Sequence, residues 1–173
     1  MIEQKLKKVS SDVREEIEDF LYEEASKIDD GRFEEWLDMM TDSCTYRMPV
    51  RLTRERSDLP DVSVDMYHFY DDRSTLQLRV DRLQTEYAWA EDPPSRTRHL
   101  VTNVRAFSVS NDEVKVNSNF LVYWNRGDSP DADLISGKRN DILRRVDGAW
   151  KLSERTIIVD QSSLGTGHLS IFL

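Results

Sequence analysis

Four long segments in the second half of the chain constrain its fold most. Residues 97–109, 114–125, 134–146 and 150–160 each read as extended chain, with no helical pattern between them. Ser110-Asn111-Asp112 is a turn signal, Gly127-Asp128-Ser129-Pro130 a loop, and Asp147-Gly148 a hairpin turn. Strands joined this directly run antiparallel, because a parallel return needs a crossover of a dozen or more residues. Long hairpin strands also twist strongly, so one face of the sheet needs cover.

The first half supplies that cover. Val13, Ile17, Phe20, Leu21, Ala25 and Ile28 recur at helical spacing, with Asp12 and Glu15 placed as a capping box. Gly31 breaks the pattern. Phe33, Trp36, Leu37 and Met40 then form a second, shorter stripe. Tyr46, Met48 and Val50 alternate with polar neighbours and Pro49, which predicts a strand near a sheet edge. Residues 51–63 read as a polar loop. Asp71 or Asp72 is placed to cap a third helix carrying Leu76, Val80, Leu83 and Tyr87, stopped by Pro93-Pro94. Helices first and long strands later predict an α+β fold, with three helices on a twisted antiparallel sheet. The length predicts one domain over residues 1–173, with an arm over 1–11 and a tail over 161–173.

Charge is divided unevenly. The net charge is −9, and residues 1–42 hold −8 of it, on the polar faces of the first two helices. Residues 43–173 are nearly neutral, yet 15 of their 18 basic residues are Arg, the type suited to bidentate pairing and to interfaces. An acidic chain of this kind lacks the basic face that nucleic acid or anionic membrane requires. No run of apolar residues is long enough to cross a bilayer, so the chain is expected to be cytoplasmic.

Little catalytic chemistry is legible. Cys44 is the single cysteine, which excludes a Cys-rich metal centre on this chain and reads as a small buried hydrophobe. His68, His99 and His168 show no ligand spacing, and Gly165-Thr-Gly167 lacks the strand–helix context of a phosphate loop. Asp30, Asp65, Tyr67, His68 and His99 are the candidates for acid–base work in a pocket, should the sheet enclose one. That leaves a stand-alone isomerase, dehydratase or hydrolase as the alternative function. Asn117, Ser118, Asn119, Arg139, Asn140 and Asp141 interrupt the strands and face solvent, a partner or a polar cavity.

The densest local pattern is Ala88-Trp-Ala-Glu91-Asp92-Pro-Pro-Ser-Arg96-Thr-Arg98-His99-Leu100. Arg96 and Arg98 share one strand face, and Thr97 and His99 share the other. Together with Ile28-Asp-Asp-Gly-Arg-Phe-Glu-Glu-Trp-Leu37, Arg155-Thr-Ile-Ile-Val-Asp160 and His168-Leu-Ser-Ile-Phe-Leu173, this run resembles the small (beta) subunit of bacterial aromatic-ring-hydroxylating dioxygenases. It is most similar to the biphenyl, polycyclic-arene and phenylpropionate branch of that family.

The resemblance implies the cone-like fold of nuclear transport factor 2 and ketosteroid isomerase. It implies an accessory subunit with no catalytic residue, cofactor or metal of its own, in a heterohexamer of three large and three small subunits. The large subunit would carry a Rieske [2Fe–2S] cluster and mononuclear Fe(II). A ferredoxin and a reductase would bring electrons from NADH for conversion of arenes to cis-dihydrodiols. One cysteine cannot supply the two Cys of a Rieske centre, in agreement with that division. Arg96, Arg98 and His99 are the expected subunit-interface residues, followed by Arg155, Asp160, Ile171 and Phe172. The apolar end, residues 169–173, is expected to dock on a neighbour or on its own sheet.

Overall fold

A computed structural model describes residues 6–53, 61–83, 95–126, 130–162 and 172–173. Helix α1 (Ser11–Asp29) forms where the apolar spacing places it, and Ile17, Phe20, Leu21, Ala25 and Ile28 are buried. Its cap differs from the expected one. Ser10, in extended conformation, accepts the Val13 N–H at 3.4 Å, and Asp12 lies inside the first turn, where its charge favours the helix dipole. Gly31, at φ +71°, ends the helix in a conformation that a Cβ would penalise. Helix α2 (Phe33–Leu37) follows. Met40 does not continue its stripe but opens a strand.

That strand, β2 (Met40–Arg51), is longer than expected and is not at an edge. It lies between β7 (Ala149–Val159) and β3 (Val62–Asp72). Pro49 is tolerated because the β2–β3 register shifts on both sides of it, so no ladder donor is required there. β3 itself is absent from the sequence reading, which assigned a loop to residues 51–63. The reason is physical. Val64, Met66, Tyr67 and Tyr70 are all exposed, so no buried face imposes a period of two on the segment. Asp72 then caps α3 (Arg73–Leu83) by accepting the Thr75 N–H at 2.8 Å and the Ser74 hydroxyl at 2.7 Å. Those bonds hold its carboxyl down at about 2. Leu76 and Val80 are buried as expected, whereas Tyr87 and Pro93-Pro94 lie outside the described residues.

The four long strands are β4 (Ser95–Ser108), β5 (Glu113–Arg126), β6 (Asp133–Val146) and β7, each antiparallel to the next. Asp147 and Gly148 turn the last hairpin at φ +52° and +84°, as an Asp-Gly type I′ turn requires. A two-residue strand, β1 (Lys7–Lys8), pairs with β4, so part of the expected arm belongs to the sheet. The order is β1-β4-β5-β6-β7-β2-β3. The sheet is not wholly antiparallel, because β2 and β7 run parallel. Asn103, at φ +55°, sits in a register break of β4, a bulge that bends the strand. The three helices cover the inner face, and Trp36, Tyr46, Leu143 and Ile157 are among the residues buried between the layers.

Gly137 marks a close approach in this curved sheet. A Cβ there would lie 2.4 Å from Ile158 O and 2.9 Å from Val159 Cα, both backbone atoms of the next strand. Gly137→Ala is therefore expected to lower stability by about 1–3 kcal/mol, read as a lower denaturant midpoint. An unchanged midpoint would mean that β6 and β7 are less closely apposed.

Candidate functional site

The interior beneath the sheet is occupied by ion-paired side chains. Strand alternation turns Ser118, Arg139, Asp141 and Arg155 inward, and all four are buried. Asn117 and Asn140 are half-buried, and Asn119 faces out. Glu24 reaches in from α1.

Arg155 is the hub. Its Nη1 and Nη2 donate to the two Glu24 carboxylate oxygens at 2.6 and 2.8 Å. Its Nε and Nη2 donate to the two Asp141 oxygens at 3.0 and 2.8 Å. A weaker bond of 3.5 Å runs from Nη1 to the main-chain oxygen of Leu173. Every N–H of this guanidinium thus has an acceptor.

Burial disfavours the Arg155 charge, but Asp141 and Glu24 outweigh it and hold the guanidinium protonated well above the usual range. Burial likewise opposes the Glu24 charge, and Arg155 and Arg139 overcome it, holding that carboxyl below its ordinary value. Glu24 also accepts from Trp36 Nε1 at 3.2 Å. Arg139 is held more loosely, through Nη1 to Glu24 at 3.5 Å, with its guanidinium 5.3 Å from the Phe120 ring centroid. Two carboxylates and two guanidinium groups leave the cluster neutral. Glu24 accepts four hydrogen bonds, from Arg155, Arg139 and Trp36, and Asp141 accepts two from Arg155, so both carboxylates are engaged within the cluster.

The acid–base candidates do not assemble into a site. Asp30, Asp65, Tyr67 and His68 are exposed, and His99 alone among them is buried. Asp30 pairs with Arg32 at 3.4 Å, and the Tyr67 hydroxyl donates to Val64 O at 3.2 Å. His99 Nδ1 faces Asp29 Oδ1 at 2.6 Å, and its Nε2 faces Phe172 O at 2.9 Å. Cys44 is free and buried, and burial pushes its thiol up to about 12, where no nucleophilic thiolate forms at neutral pH. Among the described residues, no group of three His, Cys, Asp or Glu side chains is placed to hold a metal ion. His168 and the Gly165–Gly167 stretch lie outside the described residues.

The expected interface residues divide. Arg155, His99 and Phe172 are interior, so they present no side chain to a neighbour docking on this chain. Phe172 packs 4.3 Å from Trp36 and 5.6 Å from Phe33, ring centroid to ring centroid, so this residue lies within its own fold. Ile171 lies outside the described residues. Arg96, Arg98 and Asp160 are at the surface. Arg98 lies 3.7 Å from Asp29, and Arg96 is engaged in an interaction of its own. Glu91 and Asp92, the sequence-near partners expected for these arginines, lie outside the described residues.

These surface residues border a patch that was not singled out in the sequence. Across β4, β5 and β6, the register aligns Leu100 with Leu121 and Ser136, and Arg98 with Tyr123 and Leu134. Leu100, Leu121, Tyr123 and Leu134 all point outward, each between 38% and 56% exposed. Asp160 accepts the Ser136 hydroxyl at 3.0 Å and flanks the far side. An apolar centre rimmed by Arg and Asp has the anatomy of a protein interface. The signal in the sequence was the outward phase of the alternation, Leu121 and Tyr123 between the inward Phe120, Val122 and Trp124.

A helix-covered sheet with ion-paired side chains on its inner face and an apolar patch on its outer face defines an α+β protein. The family model described as "Ring hydroxylating beta subunit" matches residues 23–166, and the chain belongs to that family. It is 36% identical over 170 residues to biphenyl 2,3-dioxygenase subunit beta of Rhodococcus jostii, covering 95% of this chain and 90% of that one. A naphthalene 1,2-dioxygenase structure with indole bound superposes with a TM-score of 0.83 at 24% identity, covering 95% of this chain and 88% of that one. A protein of Novosphingobium aromaticivorans provisionally described as a scytalone dehydratase superposes with a TM-score of 0.64 at 16% identity, covering 89% and 88%. The fold is therefore shared beyond the family, while the family is that of ring hydroxylating beta subunits.

Proposed function

We propose that this chain is the cofactor-free small subunit of the terminal oxygenase of an aromatic-ring dioxygenase. The observation that carries the reading is the beta-subunit family match over most of the chain. The stand-alone pocket enzyme is the less supported reading: among the described residues, the acid–base candidates other than His99 are exposed, and His99 is engaged by Asp29 and Phe172. The reaction would add both atoms of O2 to an arene to give a cis-dihydrodiol. It consumes two electrons from NADH, relayed by a reductase and a ferredoxin, and two protons.

The Rieske cluster and the mononuclear iron would sit on the large subunit. This chain's own residues do not fit the Rieske cluster, which needs two Cys and two His, since only one Cys is present. We assign the large subunit to the outer face of β4–β6, bordered by Arg96, Arg98 and Asp160. The assembly would contain three large and three small subunits, within the cytoplasm, from one domain spanning residues 1–173.

Co-expression with the large subunit tests this reading. Purification through a tag on the present chain is expected to yield a particle of equal subunit numbers by native mass, with iron in the particle and none on this chain alone. Turnover or stoichiometric iron on the isolated chain would overturn the proposal.

A further inference from the structure

The buried His99 is not explained by docking, and its surroundings point to a switch. Both of its ring nitrogens face acceptors: the Asp29 carboxylate at 2.6 Å and the Phe172 carbonyl oxygen at 2.9 Å. A neutral imidazole has one N–H and cannot satisfy both. We propose that His99 is a proton-operated latch that, as the imidazolium, holds Phe172 and Leu173 inside the fold.

The partners on each side are firmly placed. Asp29 also accepts the His99 backbone N–H at 3.0 Å and the Thr97 hydroxyl at 2.9 Å. Burial works against its charge, but these bonds from His99 and Thr97 prevail and hold the carboxyl below its ordinary value. Phe172 is gripped by Trp36 and Phe33, with the Arg79 guanidinium 4.7 Å from its ring centroid. The Leu173 N–H donates to the Tyr46 hydroxyl at 2.9 Å, and that hydroxyl donates in turn to Leu173 O. Around the latch, the charged and titratable groups among the described residues are Asp29 on α1, Arg98 on β4 beyond Asp29, and Arg79 on α3. Asp71 on β3 pairs with Arg79 at 2.7 Å, Tyr46 on β2 and Arg155 on β7 join through Leu173, and Glu24 on α1 lies behind them on Arg155 and Trp36.

The sign follows from the geometry. When the ring loses its second proton, the remaining N–H stays with the carboxylate, the stronger acceptor. The Nε2 lone pair then faces the Phe172 oxygen, so attraction becomes repulsion. The latch is closed at lower pH and opens as pH rises through the imidazolium titration. At the acid end, Asp29 is held below its ordinary value, so it keeps its charge as the pH falls toward the usual carboxylate range.

The test uses the full chain and is independent of assembly. Long-range nitrogen–proton NMR of the His99 ring, titrated from about pH 5 to about 9, reads its protonation directly. Hydrogen exchange of the Leu173 amide, corrected for intrinsic base catalysis, reads closure. Two protonated ring nitrogens at the low end are expected, with protection of Leu173 falling roughly tenfold or more as the ring titrates, the scale of a lost charge-assisted hydrogen bond. In His99→Gln, which cannot ionise, protection should be flat with pH. In Asp29→Asn, which lacks the anion that favours the imidazolium, the fall should move to lower pH. A singly protonated ring throughout, or the same pH dependence in His99→Gln, would overturn the latch.

Discussion

Arg155→Met is expected to destabilise the chain by about 3–5 kcal/mol, the cost of stripping one partner from a buried ion pair. The substitution roughly conserves volume, so cavity formation contributes little. The loss comes from Glu24 and Asp141, each about 1% exposed, left without the guanidinium that both embrace. Arg139 cannot replace it, because it reaches only Glu24, at 3.5 Å.

Arg155→Lys should recover part of the loss, since an ammonium keeps the charge but cannot form two bidentate pairs. The pH dependence separates this account from simple misfit. In Arg155→Met the buried carboxyls have folded-state affinities for protons raised above those of the unfolded chain, so the deficit should narrow as pH falls. Denaturant midpoints at acid and neutral pH would measure it. A deficit that is small, or constant with pH, would mean that the network contributes little to stability.

Tyr123→Asp and Leu121→Asp should have the opposite profile. Both side chains are partly exposed on the outer face, so the isolated chain should change by no more than about 0.5 kcal/mol. If the large subunit docks there, a charge placed in the apolar centre should weaken assembly by about 30-fold or more, the level of an interface hot spot. Sedimentation of the co-expressed pair would measure this. Normal assembly would move the docking site elsewhere; the exposed Val64 and Met66 on β3 are then next to be charged.

The order of elements was legible because local chemistry dictates it. Gly31 ends a helix, Asp72 starts one, and Asp147-Gly148 closes a hairpin through backbone angles that few other residues adopt. β3 was illegible because residues 64–68 are exposed on both sides and carry no periodic signal. Pro49 suggested an edge strand, since a register shift that excuses a proline cannot be seen without the partner strand. The parallel contact of β2 with β7 joins segments about a hundred residues apart, beyond the reach of any local pattern.

The arginines show the same limit most clearly. Their excess after residue 42 suggested a docking surface, and Arg98 does lie on the outer face beside Leu100 and Tyr123. Arg139 and Arg155, from the same excess, are wholly buried. A period of two sorts strand residues into two sets, but it does not say which set the helices will cover. The sequence by itself determined the family, the three helices, the four long strands of the second half, and the lack of a second cysteine for a Rieske centre. Only the tertiary structure decided which polar residues pair inside, because Glu24, Asp141 and Arg155 meet solely when α1 closes over β6 and β7, and each charge is tolerable there only in the presence of the others.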